Sequence, residues 1–143
     1  MPIHKIFEMD KHKEDVSPEA EIQRVKGDLM KAGIVVYKKD KGAPPHCHPN
    51  DEQFNLILEG RRAMILDDVV VVAGPGDLIH IPRGSVHGGG ASLDEQSVFF
   101  AVKSPAGSGV MGEDYQAVDN AEELVRKVEE KVAEIRAADA NGG

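Results

Sequence analysis

Short apolar stretches alternate with turn residues over the middle of the chain, between about residue 22 and residue 104. The turns carry Gly, Pro, Asp and Asn, and no helix-length pattern separates the stretches. Strands this short and this evenly spaced predict an all-β antiparallel sandwich or barrel. The candidate strands are Ile22–Lys26, Leu29–Lys38, His46–His48, Gln53–Glu59, Arg62–Leu66, Val69–Val72, Asp77–Ile81 and Ser97–Val102.

The two ends of the chain carry different patterns. Residues 1–21 are polar and charged, which predicts an N-terminal arm or edge strand, with a helical turn at Ser17-Pro18. Residues 105–118 predict an irregular segment that covers the barrel. Over residues 119–138, apolar side chains recur every three or four positions among Glu and Lys, which predicts an amphipathic C-terminal helix. Its apolar face must pack on the barrel or on a partner chain, and residues 137–143 are expected to fray.

Composition narrows the class of protein. The chain has 143 residues, which suits one domain, and its formal net charge is -8 without a basic stripe. This charge argues against nucleic acid or an anionic membrane surface as the partner. No stretch approaches the roughly 20 apolar residues of a membrane-spanning helix, and no signal-peptide pattern opens the chain. A single cysteine, Cys47, allows no intrachain disulfide, so we expect a cytoplasmic protein.

Three histidines are the candidate metal ligands. His46 and His48 are one residue apart, so on an extended strand both side chains point to the same face. Cys47 points to the opposite face, and we interpret it as a packed thiol. His87 closes a second stretch, Gly74–His87, that has turn residues of its own. Because imidazole and side-chain oxygen are common metal donors, we expect the two stretches to meet and hold one divalent ion.

A fourth donor follows the histidine pair. Glu52 and Gln53 both stand at the start of the next candidate strand. Adjacent strand residues point to opposite faces, so only one of these two can reach the ion. Strand alternation alone leaves the choice open.

The two stretches resemble the two motifs of the cupins, a superfamily of small β-barrels. The first cupin motif is Gly, five residues, His-x-His, three or four residues, Glu, six residues, Gly; here Gly42 precedes His46 by three residues. The second stretch resembles the form Gly-Asp-x-x-x-Ile-Pro-x-Gly-x-x-His from Gly76 to His87. The resemblance covers roughly residues 22–104. It implies a cupin β-barrel or jelly-roll sandwich with a C-terminal α-helix, and a homodimer.

The cupin motif also bears on the fourth donor. Six residues separate Gln53 from Gly60, whereas seven separate Glu52 from it. The resemblance therefore implies Gln53, because several cupin subgroups carry Gln where others carry Glu. With His46, His48 and His87 neutral, such a site keeps the full charge of the ion and favours an anionic or oxygen-chelating small molecule. Zn, Ni, Fe, Mn and Co all suit these donors.

Several activities are compatible with a cupin metal site. We expect Lewis-acid stabilisation of an enolate or enediolate, in an isomerase, cyclase or lyase. The alternatives are an iron dioxygenase of a diketone- or flavonol-like substrate and a non-catalytic binding protein. Cupins similar to this chain include enzymes of unsaturated uronates and polyketide cyclases. The late strand Val98–Lys103 lacks the acidic and basic pair of the uronate enzymes, which suggests an apolar wall and favours the cyclases.

Two further residues are candidate catalytic groups. His80 shares a strand face with Leu78, and either face can line the cavity. Facing inward, His80 would be a fourth histidine or an acid/base; facing outward, it would be a packed or half-exposed side chain. Arg83 lies in the loop before His87, where it would either meet a substrate carboxylate or be a solvated arginine.

Overall fold

A computed structural model describes residues 2–142 as a two-sheet barrel with one long helix. The strands are β1 His12–Glu14, β2 Ser17–Lys26, β3 Lys31–Lys38, β4 His46–Cys47, β5 Glu52–Glu59, β6 Arg62–Leu66, β7 Val69–Ala73, β8 Leu78–Ile81, β9 His87–Ser92, β10 Gln96–Ser104 and β11 Gln116–Ala117. A short 3-10 helix spans Ile6–Glu8, and helix α1 spans Ala121–Gly142. The prediction of an all-β domain with a C-terminal helix is confirmed.

The strands form two antiparallel sheets. One sheet has the order β1-β2-β3-β10-β5-β8, and the other has the order β11-β4-β9-β6-β7. Neighbours in each sheet are mostly distant in sequence, as in a jelly roll. This order places β4 beside β9, so the two histidine stretches meet in the second sheet.

Side-chain alternation builds the barrel interior. Along β10, Ser97, Phe99, Ala101 and Lys103 are buried, while the residues between them are partly exposed. The same two-residue period on the facing strands fills a core with Ile22, Val35, Tyr37, Ile57, Met64, Ile79 and Ile81. The core therefore lies between the two sheets, as the period of the apolar residues predicts.

Helix α1 packs on the outer face of the second sheet. Its buried side chains Leu124, Val128 and Val132 contact Ala63 and Ile65 of β6. Of the two alternatives predicted for the apolar face of the helix, the structure shows packing on the barrel of the same chain. None of the helices described between residues 2 and 142 has the length and apolar content that a bilayer crossing needs.

Two predictions at the chain ends are wrong. The segment at Ser17 is the start of β2 rather than a helical turn, because it pairs with the edge strand β1, where Glu14 lies opposite Ser17. Pairing in the sheet here outweighs the local preference of Ser-Pro for a helix start. At the other end, α1 continues through the segment expected to fray. Met1 and Gly143 lie outside the described residues.

The glycine run 88–90 lies in a strand, although three consecutive glycines are more typical of a turn. It belongs to β9, and Gly88 has a φ of 94° that favours glycine. A Cβ atom on Gly88 would lie 2.7 Å from the carbonyl oxygen of Pro44. The glycines therefore let β9 approach the segment that carries His46.

Candidate metal centre

The three histidines converge in the barrel interior. His46 opens β4, His48 follows that strand, and His87 opens β9 directly opposite His46. One ligand atom from each ring lies within 4.8 Å of the others, and all three residues are buried. Cys47 between them is a buried free thiol. The prediction that the two stretches meet is confirmed.

Backbone carbonyl groups fix the same tautomer in all three rings. Each Nδ1 atom lies within hydrogen-bond distance of at least one carbonyl oxygen. The pairs are His46 with Pro44 at 2.6 Å, His87 with Ser85 at 3.0 Å, and His48 with Glu113 at 3.1 Å and Asp114 at 3.2 Å. Because a carbonyl oxygen only accepts, each Nδ1 carries the proton and donates it. Each Nε2 is therefore left with a free lone pair, as in metal-binding histidines.

The contact between His46 and His48 is explained by these tautomers. Their Nε2 atoms are 3.2 Å apart. Neither atom has a hydrogen to donate, so two lone pairs face each other without a hydrogen bond. A cation bound by both atoms would turn this repulsion into attraction. Two nitrogens at the usual zinc distance of about 2.0–2.1 Å and at a tetrahedral angle are about 3.3 Å apart, which matches the observed spacing.

Burial keeps the three rings neutral. It is the largest cause of the lowered pKa of His46, and it holds the pKa of His87 well below its usual range. Burial, with the nearby charge of Lys103, lowers the pKa of His48 to about 3. Since the neutral imidazole is the form that binds a metal, the cluster is ready to bind one at pH 7.

Gln53 faces the histidines and Glu52 does not. Gln53 is buried and lines the same cavity, whereas Glu52 is exposed on the other face of β5. Gln53 Nε2 donates a hydrogen bond to Asn55 Oδ1 at 2.7 Å. Gln53 Oε1 is buried and has no hydrogen-bond partner among the described residues. A buried oxygen without a partner is unfavourable, so this atom fits a metal donor that completes the histidine set.

His80 and Arg83 lie outside the cavity. His80 is exposed on β8, and its Nε2 lies 2.8 Å from Glu52 Oε2. Of the two orientations left open for His80, the structure shows the outward one, because β8 turns Ile79 and Ile81 into the core instead. Arg83 is exposed in the loop before β9 and does not line the cavity. Neither residue is retained as a catalytic candidate.

The cavity beside the histidines has a volume of about 90 Å³, which is room for several water molecules. Phe99 and Ala101 of β10 line it, in keeping with the apolar wall expected there. The same face of β10 also carries Lys103, which that expectation missed. Lys103 is 1% exposed, and burial lowers its pKa to about 8 against the opposing effect of Asp51. The signal was available, since Lys103 stands two residues after Ala101 on one strand.

Buried charges hold the cover segment, residues 105–118, onto the barrel. The Glu14 carboxylate accepts hydrogen bonds from the backbone amides of Met111 and Gly112 at 2.9 and 2.8 Å. The ammonium groups of Lys31 and Lys103 donate to carbonyl oxygens of the same segment at 2.6 and 2.5 Å. These contacts position the carbonyl groups that fix the His48 tautomer. Sequence reasoning assigned no role to Glu14 or Lys31.

Comparison with protein families identifies the barrel. Residues 33–103 match the family model described as Cupin domain. The barrel is a cupin domain. The resemblance inferred from the two motifs is thus confirmed, and the matched stretch of this cupin contains all four candidate metal donors. No match was found among the curated proteins.

Solved structures of other proteins share the cupin fold. The polyketide cyclase RemF from Streptomyces resistomycificus is 21% identical at a TM-score of 0.67, with 88% of this chain and 91% of that chain covered. KdgF from Halomonas sp. is 23% identical at a TM-score of 0.61, over 69% and 88%. A sugar phosphate isomerase of the cupin superfamily from Silicibacter pomeroyi is 16% identical at a TM-score of 0.64, over 72% and 75%. At these identities the likeness shows the fold alone.

Proposed function

We propose that this cupin is a metal-dependent enzyme for a small, acidic or oxygen-chelating substrate. The observation that carries the proposal is the set of three buried histidine rings in one cavity with Gln53, whose Oε1 has no hydrogen-bond partner within residues 2–142. His46, His48, His87 and Gln53 would hold one divalent ion, of Zn, Ni, Fe, Mn or Co. When bound, the ion supplies Lewis-acid stabilisation of an enolate or enediolate, the chemistry of an isomerase, cyclase or lyase.

The donor set supports an anionic substrate. All three imidazoles are kept neutral by burial, and the Gln53 amide carries no charge. The protein therefore leaves the charge of a bound ion undiminished, whereas a glutamate in the place of Gln53 would remove one unit of it. A fully charged site attracts an oxyanion more strongly.

The surroundings of the donors favour chemistry away from bulk water. Tyr115 of the cover segment stacks on the His46 ring, with centroids 4.7 Å apart and planes inclined by 22°. Together with the apolar wall of the cavity, it limits the access of water and strengthens every electrostatic interaction inside. RemF is a cyclase and the Silicibacter protein is an isomerase, activities of the kind proposed for this chain.

Proton exchange on a simple 1,3-diketone tests the proposal. Acetylacetone in D2O is followed by NMR with zinc-loaded protein, metal-free protein and His87→Ala. We expect the loaded wild type to accelerate exchange of the central carbon's protons, and the other two samples to match buffer. If loaded wild type is no faster than the metal-free protein, the enolate proposal fails. Oxygen uptake by iron-loaded protein with the same diketone would instead support the dioxygenase. Binding of the diketone without proton exchange or oxygen uptake would support a non-catalytic binding protein.

The outer face of the six-stranded sheet supports the expected homodimer, which we retain as a proposal. Phe54, Leu58 and Leu78 are 40%, 43% and 63% exposed on neighbouring strands of that face. Apolar side chains clustered in this way are typical of protein interfaces. Light scattering should give twice the chain mass of 15.4 kDa. Leu78→Glu should give a monomer, and a monomeric wild type at micromolar concentration would rule the dimer out.

A further inference from the structure

Arg62 differs from the other buried charges of the described residues. The remaining buried Asp, Glu and Lys side chains all have an opposite charge within 4 Å. The pairs are Glu14 with Arg24 at 2.7 Å, Lys31 with Glu113 at 2.6 Å, and Lys103 with Asp51 at 3.4 Å. Arg62 is 5% exposed and forms no ion pair with any carboxylate between residues 2 and 142. A buried charge of this kind is unfavourable until something neutralises it.

The guanidinium of Arg62 is held in the wall of the histidine cavity. Its Cζ lies 4.7 Å from the ring centroid of Tyr37 and 5.4 Å from that of Phe99. Its Nη1 donates a hydrogen bond to Ser97 Oγ at 3.0 Å. The two rings and the hydroxyl orient the group, but none of them is an anion. Burial lowers the pKa of Arg62, yet an arginine stays protonated in a protein.

Backbone packing fixes the position of the guanidinium further. Cβ atoms added to Gly42 and Gly90 would lie 3.3 and 3.2 Å from Arg62 Nη2. The closest atoms to these Cβ positions are the carbonyl oxygens of Gly90 and Ala63, respectively, both less than 3.0 Å away, so the two glycines permit a close backbone approach against which the guanidinium packs. A planar fork of donors held in one place loses little entropy when it binds a carboxylate through two hydrogen bonds.

The strand register separates Arg62 from the histidines. On β6, Leu66 pairs with His87 and Arg62 pairs with Ser92. Four residues along an antiparallel strand place the backbone of Arg62 about 13 Å from that of Leu66. The guanidinium itself bonds Ser97, whereas Gln53 lies opposite Lys103, six residues further along β10. One cavity therefore has neutral metal donors toward one end and an unneutralised cation toward the other.

We propose that Arg62 binds a carboxylate of the substrate at the end of the cavity away from the histidine cluster. This inference deepens the proposed function and rests on it only for the chelating end of the ligand. The substrate class is then a small organic acid with chelating oxygens at one end and a carboxylate at the other. Arg62 is the residue that selects such acids over uncharged molecules of the same shape.

Binding of benzoate to metal-free protein tests Arg62 independently of any metal. Isothermal titration calorimetry compares wild type, Arg62→Met, Arg62→Lys and Arg61→Met. Arg61 is a matched control, because it is the adjacent arginine but pairs with Asp94 and Asp139 at the surface. We expect Arg62→Met to lose about 10- to 100-fold in affinity, Arg62→Lys to lose less, and Arg61→Met to match wild type. Equal affinity in wild type and both Arg62 variants, or no benzoate binding to wild type, would overturn the proposal.

A second titration joins the two ends of the cavity. Cobalt-loaded protein is titrated with ω-carboxy hydroxamates of increasing chain length and with the matching ω-methyl compounds, and the visible spectrum reports chelation. We expect wild type to prefer one carboxylated length about 10- to 100-fold, and Arg62→Met to bind both series alike. Chelation without a carboxylate preference in wild type contradicts the role of Arg62. If no hydroxamate changes the visible spectrum, the proposed metal function is contradicted instead. The role of Arg62 is then decided by the benzoate titration.

Discussion

Buried polar groups occupy two regions of this barrel, the histidine cluster and the contacts beneath the cover segment. Under the cover segment, the charges of Glu14, Lys31 and Lys103 all have counter-ions and accept or donate hydrogen bonds. In the histidine cluster, the lone pairs face one another and Gln53 Oε1 has no partner among the described residues. Satisfied groups of the first kind stabilise the fold. Unsatisfied groups of the second kind destabilise the metal-free fold and gain a partner when a ligand binds, so the difference separates structural from functional polar residues.

The largest expected effect compares two buried cations of the same cavity. Lys103→Met leaves the buried carboxylate of Asp51 without its partner and should lower the free energy of unfolding by about 3–5 kcal/mol. Arg62→Met leaves no carboxylate behind and should change it by less than about 1 kcal/mol, or raise it. Urea unfolding of the metal-free proteins measures both values. If both variants lost the same free energy of unfolding, Arg62 would be a structural residue like Lys103.

Exchanging the amide of the cluster for a carboxylate should tighten metal binding. Gln53→Glu adds a negative charge to the donor set, and we expect zinc affinity to rise about tenfold or more. The same change removes the hydrogen bond to Asn55, so the metal-free variant should be less stable than wild type. Competition with a chromophoric chelator measures the affinity. Glu52→Gln is the matched control on the outer face of β5 and should leave the zinc affinity unchanged. If Glu52→Gln changed the zinc affinity as much as Gln53→Glu, the assignment of Gln53 as the metal donor would be contradicted.

Acid should weaken the attachment of the cover segment through Glu113. Burial favours its neutral form, but hydrogen bonds from Lys31 and Ser108 outweigh this and lower the pKa of Glu113 to about 2. The folded pKa is below the ordinary one, so the stabilisation is complete above about pH 4.5 and is lost as the pH falls toward 2. We expect at most about 1 kcal/mol. The stability gap between wild type and Glu113→Gln should narrow from pH 5 to pH 3, and a constant gap would exclude this contact as the cause.

The smallest expected effect belongs to His80. Its imidazole and the Glu52 carboxylate are both about half exposed on the outer face of the sheet. His80→Ala should therefore change the free energy of unfolding by less than about 0.5 kcal/mol. Zinc content, measured by elemental analysis, should stay at the wild-type value. A loss of zinc in this variant would mean that His80 takes part in the site after all.

Local pattern was enough to predict most strands of the barrel, although β1, β9 and β11 were missing from the candidate strands. It also predicted the meeting of the two histidine stretches, and strand parity with the cupin spacing selected Gln53. The ion pair of Lys31 with Glu113 and the hydrogen bonds of Glu14 to the cover segment could not be predicted in this way, because these residues are far apart in sequence from their contacts. Arg62 opens a strand like many exposed arginines do. Only the sheet order turns it inward and shows that no carboxylate of residues 2–142 pairs with it. The topology of the fold decides which side chains become neighbours. The sequence around Arg62 therefore gives no sign that this residue has no ion-pair partner among the described residues.

The central claim is that the cluster binds one metal ion through its histidines. Calorimetric titration of metal-free protein with Zn²⁺ tests it, with His87→Ala as the variant and His80→Ala as the control. We expect one ion per chain for wild type and for His80→Ala. For His87→Ala we expect an affinity loss beyond the roughly 10- to 100-fold that follows removal of an outer partner. No binding to wild type, or equal binding to His87→Ala, would contradict the claim.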